Sequence, residues 1–145
     1  MCPLLAMVMV VERYRFVRDA LRIAIEPMPG LELVAEADDV HKAVDLVTDE
    51  APDVILLDVD WPCLDGLAAA PLLRQALPDV LIVMYSSEPE FETHDRGFDA
   101  AEAAITAGAD AYLTAAATLE EMVGALHMAA VSPRRERDLE EELVG

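Results

Sequence analysis

Residues 53–67 read DVILLDVDWPCLDGL, near the middle of the chain. Four aliphatic residues precede Asp58 directly, without alternation between apolar and polar side chains. A short run of this kind is typical of a strand that is buried on both faces, as in a parallel sheet. The stretch therefore predicts a buried strand that carries a carboxylate at its carboxyl end.

Four further apolar runs lie on either side of this strand, and stretches with helical periodicity separate them. This alternation predicts an α/β domain in which helices cover both faces of a doubly wound parallel sheet. The five predicted strands are Leu5 to Val11, Leu31 to Ala35, Val54 to Asp58, Val80 to Tyr85 and Ala111 to Thr114.

The first and last predicted helices have clear inner faces. The last helix opens with a capping box formed by Thr118 and Glu121. It is expected to direct Leu119, Met122, Val123 and Leu126 inward. The first helix carries arginines on its expected solvent side and an apolar stripe opposite them. The stripe comprises Phe16, Val17, Ala20, Leu21, Ala24 and Ile25.

The helices between them are less regular. The second presents a narrow apolar stripe and ends before Pro52. The third spans Leu67 to Ala76 and contains Pro71, which removes a backbone donor, so we expect this helix to start late or bend. The fourth spans Asp99 to Ala107 and is closed by Gly108, a residue suited to a left-handed cap.

Composition excludes several classes of protein. With 145 residues, 54% of them apolar, the chain has the size of one folded domain. Its 29 acidic residues outnumber 10 basic ones, so we expect no direct contact with nucleic acid and none with membranes. Only Cys2 and Cys63 are cysteines, too few for a disulfide framework, so we expect a cytoplasmic protein.

Two segments interrupt the regular pattern. Residues 88–98 form a connection longer than usual between a strand and a helix, and we expect a surface loop there. The tail from Ser132 holds three arginines followed by three consecutive glutamates. We therefore divide the chain into one domain, residues 1–131, and a tail or linker remnant, residues 132–145.

Polar residues mark the carboxyl ends of three predicted strands, where ligands bind in doubly wound sheets. They are Glu12 with Arg13, Asp58 with Asp60, and Ser86 with Ser87. A carboxylate at the end of a buried strand loses solvation unless a partner compensates it, so Asp58 is the centre of the candidate site. The simpler alternative is that Asp58 only caps its strand or accepts hydrogen bonds from loop amides.

Four segments of the sequence together resemble a known family. Residues 53–67 resemble the phosphoacceptor segment of response-regulator receiver domains, the CheY-like family, and residues 10–21, 78–86 and 107–114 resemble other blocks of it in the same order. The nearest type is the receiver of NarL/LuxR-type transcription regulators. The resemblance implies a (βα)5 flavodoxin-like fold with strand order 2-1-3-4-5 and a role in two-component phosphorelay signalling.

The resemblance also implies roles for individual residues. Asp58 takes the place of the phosphoacceptor, and Ser86 and Tyr112 take the places of the switch pair. Glu12, Asp58 and the backbone carbonyl of Asp60 take the places of the Mg²⁺ ligands. The chain departs from the family pattern at Arg13, where an acid is usual, and at Ala115, where a lysine is usual.

These departures lead to a hypothesis of an atypical, degenerate receiver. Arg13 supplies a fixed counter-charge beside Asp58, Mg²⁺ binds weakly or not at all, and phosphorylation of Asp58 is impaired. The alternative is a conventional receiver in which Arg13 points to solvent and Glu12 reaches the metal. A second alternative, from another class, is a small-molecule-binding or hydrolytic domain with Asp58 as nucleophile.

We expect a signalling module and no enzyme. Its expected partner is a sensor histidine kinase or another signalling protein. We also expect a homodimer that forms through the fourth helix, fifth strand and fifth helix, a surface that receivers use for dimerisation.

Overall fold

Five parallel strands form one sheet in a computed structural model of the chain, which describes residues 5–59, 66–86, 100–114 and 117–130. Their order is β2-β1-β3-β4-β5, so the predicted 2-1-3-4-5 topology is confirmed. Hydrophobic runs without polar alternation produce these strands because both faces of the sheet are covered. The strands are β1 (Ala6–Val11), β2 (Leu31–Ala37), β3 (Val54–Asp58), β4 (Leu81–Tyr85) and β5 (Ala111–Leu113).

Helices within the described residues connect successive strands and pack on the two faces of the sheet. In the described part of the chain, no helix combines the length and apolar character needed to cross a bilayer. The helices are α1 (Arg15–Ile25), α2 (Val40–Glu50), α3 (Gly66–Ala76), α4 (Ala100–Ala107) and α5 (Leu119–Ala130).

Successive residues of each central strand point to opposite faces, and each face has its own core. On one face, which we call the α1 face, Val10, Leu56 and Val83 pack with residues of α1 and α5. On the other, Met9 and Ile55 pack with residues of α2, α3 and α4. Each fully buried aliphatic side chain contributes about 1.5–3 kcal/mol to folding, so the sheet is a rigid support for the groups at its ends.

The helix signals in the sequence are largely confirmed. The backbone N–H of Glu121 donates to Thr118 Oγ1 at 3.1 Å, which is half of the predicted capping box, and Thr118 Oγ1 donates in turn to Glu121 Oε1 at 3.4 Å. Asp39 caps α2 by accepting from the N–H groups of His41 and Lys42. Gly108 follows α4 with φ of 118°, the left-handed side that glycine tolerates.

Three helix predictions were wrong in detail. Phe16 is 73% exposed, because at about 100° per residue it lies roughly 140° around the helix from the buried Leu21. Its ring lies 5.7 Å from the ring of Tyr14 instead. Leu119 is the first residue of α5 and remains partly exposed, since the helix packs inward from Met122 onward. Finally, α3 begins at Gly66 and continues through Pro71, so the expected late start is wrong, while the alternative of a bend stays a prediction.

At the amino end of the sheet, two carboxylates complete the strand hydrogen bonding. Asp53 Oδ2 accepts from the N–H of Met7 at 2.8 Å, and Asp110 Oδ2 accepts from the N–H of Ile82 at 2.8 Å. Arg74 joins this end by donating to the carbonyl oxygens of Val80 at 2.9 Å and Gly108 at 2.7 Å. The acids at this end are therefore structural, and the candidate site lies at the other end.

Several predictions lie outside the described residues. These are the surface loop at residues 88–98, the tail at residues 132–145, and the roles of Asp60 and Ala115.

Candidate functional site

Asp58 is the last residue of β3 and is fully buried. It is paired in the sheet with Tyr85, the last residue of β4. Directly after Asp58, the N–H of Val59 donates to the carbonyl oxygen of Tyr85 at 3.0 Å, which keeps the two strand ends together. The candidate phosphoacceptor therefore stands on a rigid strand end, at the edge of the sheet where the sequence predicted a site.

Glu12, which follows β1 directly, is also fully buried. Its Oε1 accepts from the backbone N–H of Tyr14 at 3.1 Å, and its Oε2 accepts from the hydroxyl of Tyr85. Both oxygens of the carboxylate thus have donors from the chain itself. This pairing compensates for the lost solvation of a buried carboxylate.

Arg13 lies in the turn between β1 and α1 and is half-buried. Its guanidinium carbon is 4.5 Å from the centroid of the Tyr14 ring, a cation–π arrangement, and its Nη2 donates to the Tyr14 hydroxyl. The guanidinium is therefore held against the neighbouring aromatic ring. The predicted pairing of Arg13 with Asp58 stays a prediction.

Arg18, from the first turns of α1, holds the backbone of this turn. Its Nη1 donates to the carbonyl oxygen of Glu12 at 2.8 Å and to that of Arg13 at 3.0 Å. A charged donor makes these bonds stronger than neutral ones. The sequence placed Arg18 on the solvent side of the helix, and the structure gives it this additional positioning role.

Residues 8–127 match the model of the response regulator receiver domain family. The chain belongs to this family. The five-stranded order and the acid at the end of β3 are those that the sequence resemblance implied. Receiver domains of two-component systems interact with sensor histidine kinases and with effector domains.

Curated relatives of this receiver domain include proteins that are longer than the chain. One is the protein-glutamate methylesterase/protein-glutamine glutaminase of group 2 operon from Rhodospirillum centenum, 36% identical over 81% of the chain. Another is the response regulator GacA from Pseudomonas aeruginosa, 33% identical over 82% of the chain. The chain spans 29% of the length of the methylesterase and 52% of that of GacA.

Solved structures agree with the fold of the receiver domain. A LuxR-family two-component response regulator from Aurantimonas sp. SI85-9A1 is 28% identical with a TM-score of 0.73, covering 97% of this chain and 99% of that one. The receiver domain of the response regulator NarL from Mycobacterium tuberculosis is also 28% identical with a TM-score of 0.73, covering 88% and 98%.

Ser86 and Tyr112 lie at two adjoining strands of the receiver domain, β4 and β5. Ser86 follows β4 and is buried. Tyr112 lies in β5, is paired with Met84 of β4, and packs partly buried against the core opposite the α1 face. Ser86 therefore lies just past the end of β4 and Tyr112 lies beside β4, while Glu12 directly follows β1 and Asp58 ends β3. Their role as a coupling pair remains a prediction.

Receiver domains in general bind Mg²⁺ at the phosphorylation site. Mg²⁺ prefers oxygen ligands in near-octahedral geometry. Here both Glu12 oxygens already accept hydrogen bonds, and a guanidinium stands next in the chain. Among the described residues, no group of three or more acids, histidines or cysteines is suited to a metal ion. The hydrogen-bonded state of Glu12 and the positive charge of Arg13 make this side of the site a poor fit for a dication.

Sequence reasoning missed Tyr14 and Tyr85. Tyr85 was assigned only to a buried strand, because an aromatic residue in an apolar run reads as core. The available signal was its position: it ends β4 next to the strand whose last residue is Asp58. A polar hydroxyl buried at such a place needs a partner, and Glu12 is longer than the aspartate usual in the family.

Proposed function

We propose that the chain is the receiver domain of a two-component phosphorelay protein in which Mg²⁺-dependent phosphorylation of Asp58 is impaired. It signals by dimerisation or by docking to a partner. The observation that carries the proposal is the state of Glu12: the carboxylate on the metal side accepts hydrogen bonds from Tyr14 and Tyr85.

Charge supports the same conclusion. Transfer of a phosphoryl group to a carboxylate needs positive charge to neutralise the attacking and transferred groups, and Mg²⁺ with a lysine supplies it in ordinary receivers. A fixed guanidinium repels a dication, and Arg13 stands where the second metal-side acid is usual. Arg13 is therefore a built-in counter-charge for Asp58 that does not support phosphoryl transfer as a metal does.

The conventional alternative requires a rearrangement. For Glu12 to serve as the metal-side acid, its carboxylate has to turn toward the metal from the direction in which Tyr14 and Tyr85 hold it. The ligand set would then be Glu12, Asp58 and the backbone carbonyl of Asp60. Full burial of Asp58 argues against easy access of a phosphodonor in the form described.

A hydrolytic domain with Asp58 as nucleophile is the alternative from another class. It requires a general base or acid beside Asp58 and room for a substrate, and the burial of Asp58 opposes the second requirement. We propose that this chain itself is not an enzyme, although some relatives carry methylesterase names over their full length.

For the output we propose a homodimer through α4, β5 and α5, with Ser86 and Tyr112 as the coupling pair. Ile105 on α4 supports this surface, because it is a large apolar side chain that is 52% exposed. The proposed partner is a sensor histidine kinase or another signalling protein in the cytoplasm. The excess of acids, 29 against 10 basic residues, disfavours nucleic acid and anionic membranes as direct partners.

The test is incubation with acetyl phosphate and Mg²⁺, followed by intact-mass measurement. We expect little or no gain of a phosphoryl group in the wild type, and the same result for Asp58→Asn. A conventional receiver from the same family serves as the positive control. Rapid, nearly complete phosphorylation that disappears in Asp58→Asn would contradict the proposal and support the conventional alternative.

A further inference from the structure

We infer that Tyr85 is a positioning residue that keeps the metal-side acid Glu12 out of the metal site and covers Asp58 from the α1 face. The inference rests on the proposed function and adds to Arg13 a second, independent determinant of weak Mg²⁺ binding. It follows from the register of three strand ends and from one hydrogen bond.

The register places Glu12, Asp58 and Tyr85 in a row across the sheet. Asp58 pairs directly with Tyr85. Val11 pairs with Leu57, so the next residues in β1 and β3, Glu12 and Asp58, are neighbours. Adjacent strands are about 4.8 Å apart, so Glu12 and Tyr85 start from backbones roughly 10 Å apart, with β3 between them.

The side chains of this row belong to one face. Tyr85 packs in the core of the α1 face together with Leu56, and Asp58 lies two residues beyond Leu56 on the same strand. Side chains two residues apart in a strand share a face. Because the Tyr85 hydroxyl reaches Glu12 Oε2, the Tyr85 side chain extends across β3 at the level of Asp58. This crossing puts the tyrosine ring on the same face of the sheet as the fully buried Asp58.

The hydrogen bond competes with metal ligation. A phenol hydroxyl that donates to a buried carboxylate forms a charge-assisted bond, which is stronger than a neutral one. The same carboxylate also accepts from the N–H of Tyr14. Metal binding through Glu12 therefore competes with a bond inside the core that fixes the direction of this carboxylate, whatever residue stands at position 13.

A specific result follows for restoration of the site. Replacing Arg13 with aspartate removes the repulsion and restores the usual acid at that place, but it leaves Glu12 bonded to Tyr85. Arg13→Asp alone is therefore expected to bind Mg²⁺ weakly. Arg13→Asp with Tyr85→Phe, which keeps the ring but removes the hydroxyl, is expected to bind at least tenfold more tightly.

The experiment is a calorimetric titration with MgCl₂ of the wild type, both single variants and the double variant. Fluorescence of Trp61, the single tryptophan of the chain, provides a parallel signal. Val83→Ala in the Arg13→Asp background is the matched control, because Val83 is buried on the same face of β4 but has no side-chain donor for Glu12. It is expected to leave the Kd of Arg13→Asp unchanged.

A second route tests the same contact without changing Tyr85. Glu12→Asp with Arg13→Asp shortens the acid by one methylene, so its carboxylate no longer meets the hydroxyl. This variant is also expected to bind at least tenfold more tightly than Arg13→Asp. Thermal unfolding of every variant identifies any that does not fold. If one double variant does not fold, the comparison of the other double variant with Arg13→Asp decides the result.

The outcomes separate the two proposals. If Arg13→Asp alone binds Mg²⁺ as tightly as both double variants, the role of Tyr85 is wrong and the proposed function stands, with Arg13 as its cause. If the wild type already binds Mg²⁺ in the range of an ordinary receiver, the proposed function is wrong and this inference with it. Weak Mg²⁺ binding in the wild type and in Arg13→Asp, with tighter binding in both double variants, supports both the proposed function and the role of Tyr85.

Discussion

Arg74 Nη2 lies 3.1 Å from Asp110 Oδ2, and this ion pair ties the end of α3 to the turn that leads into β5. The same guanidinium donates to the carbonyl oxygens of Val80 and Gly108. Asp110 in turn accepts from the N–H of Ile82. A single arginine therefore joins three segments at the amino end of the sheet.

Replacement of this arginine is expected to destabilise the domain. Arg74→Ala removes the charged group that donates to the carbonyl oxygens of Val80 and Gly108 and pairs with Asp110, and we expect the free energy of unfolding to fall by about 2 kcal/mol. Arg15→Ala is the control, because its contact with Asp19 is 3.9 Å long and its side chain is 86% exposed. Urea unfolding followed by circular dichroism measures both, and equal effects would refute the special role of Arg74.

The residue after α2 has a left-handed backbone. Ala51 has φ of 42°, a conformation that is costly for a residue with a Cβ atom. Ala51→Gly is expected to raise the free energy of unfolding by about 0.5 kcal/mol, since relief of strain exceeds the added flexibility of the unfolded chain. Ala43→Gly, inside α2, is expected to lower it by about 1 kcal/mol. Thermal unfolding compares them, and destabilisation by Ala51→Gly would contradict the assigned backbone.

The start of α2 supplies a prediction about pH. A hydrogen bond from Lys42, 2.7 Å from Nζ to Oδ1, lowers the pKa of Asp38 below its usual value. A lowered pKa means that the pair stabilises the fold above the pKa of unfolded aspartate and loses this effect as pH falls through the folded value. NMR titration of the Asp38 carboxyl should show the lowered pKa in the wild type and in Lys42→Arg, but a normal one in Lys42→Met. An unchanged titration in Lys42→Met would remove the assigned cause.

A single substitution that introduces a charge tests the proposed dimer surface. Ile105→Asp on α4 is expected to weaken self-association at least tenfold, because a charge would be buried in the interface. Ile23→Asp on α1 is the matched control, since Ile23 is 70% exposed but lies outside α4, β5 and α5. Analytical ultracentrifugation over a range of concentrations gives both constants. If Ile23→Asp weakens self-association more than Ile105→Asp does, the proposed surface is wrong and the interface lies at α1.

Much of the fold was predictable because its signals are local. The five apolar runs and the capping box of Thr118 depend on neighbouring residues, and the strand order came from the family resemblance. Phe16 was misassigned because the face of α1 that contacts the sheet is narrower than the apolar stripe in its sequence. That width depends on how the helix is oriented, which the sequence of the helix does not contain.

The candidate site was only partly predictable, because some of its contacts depend on how separate segments of the chain are arranged. The sequence identifies Glu12, Arg13 and Asp58 by their positions after apolar runs. It does not contain the register between strands, and only the register brings the Tyr85 hydroxyl to Glu12. The contact of Arg13 with Tyr14 depends on the backbone angles of the turn and was missed for the same reason.

The bond between Tyr85 and Glu12 also bears on how the domain reaches its folded state. This glutamate obtains its donors from a phenol and an amide of its own chain, which compensate for its lost solvation without an ion from the cell. We therefore expect folding of this part of the molecule to be independent of the supply of magnesium. A regulator that acts here has to replace the hydrogen bond that Glu12 accepts from Tyr85 and has to displace the Tyr85 ring.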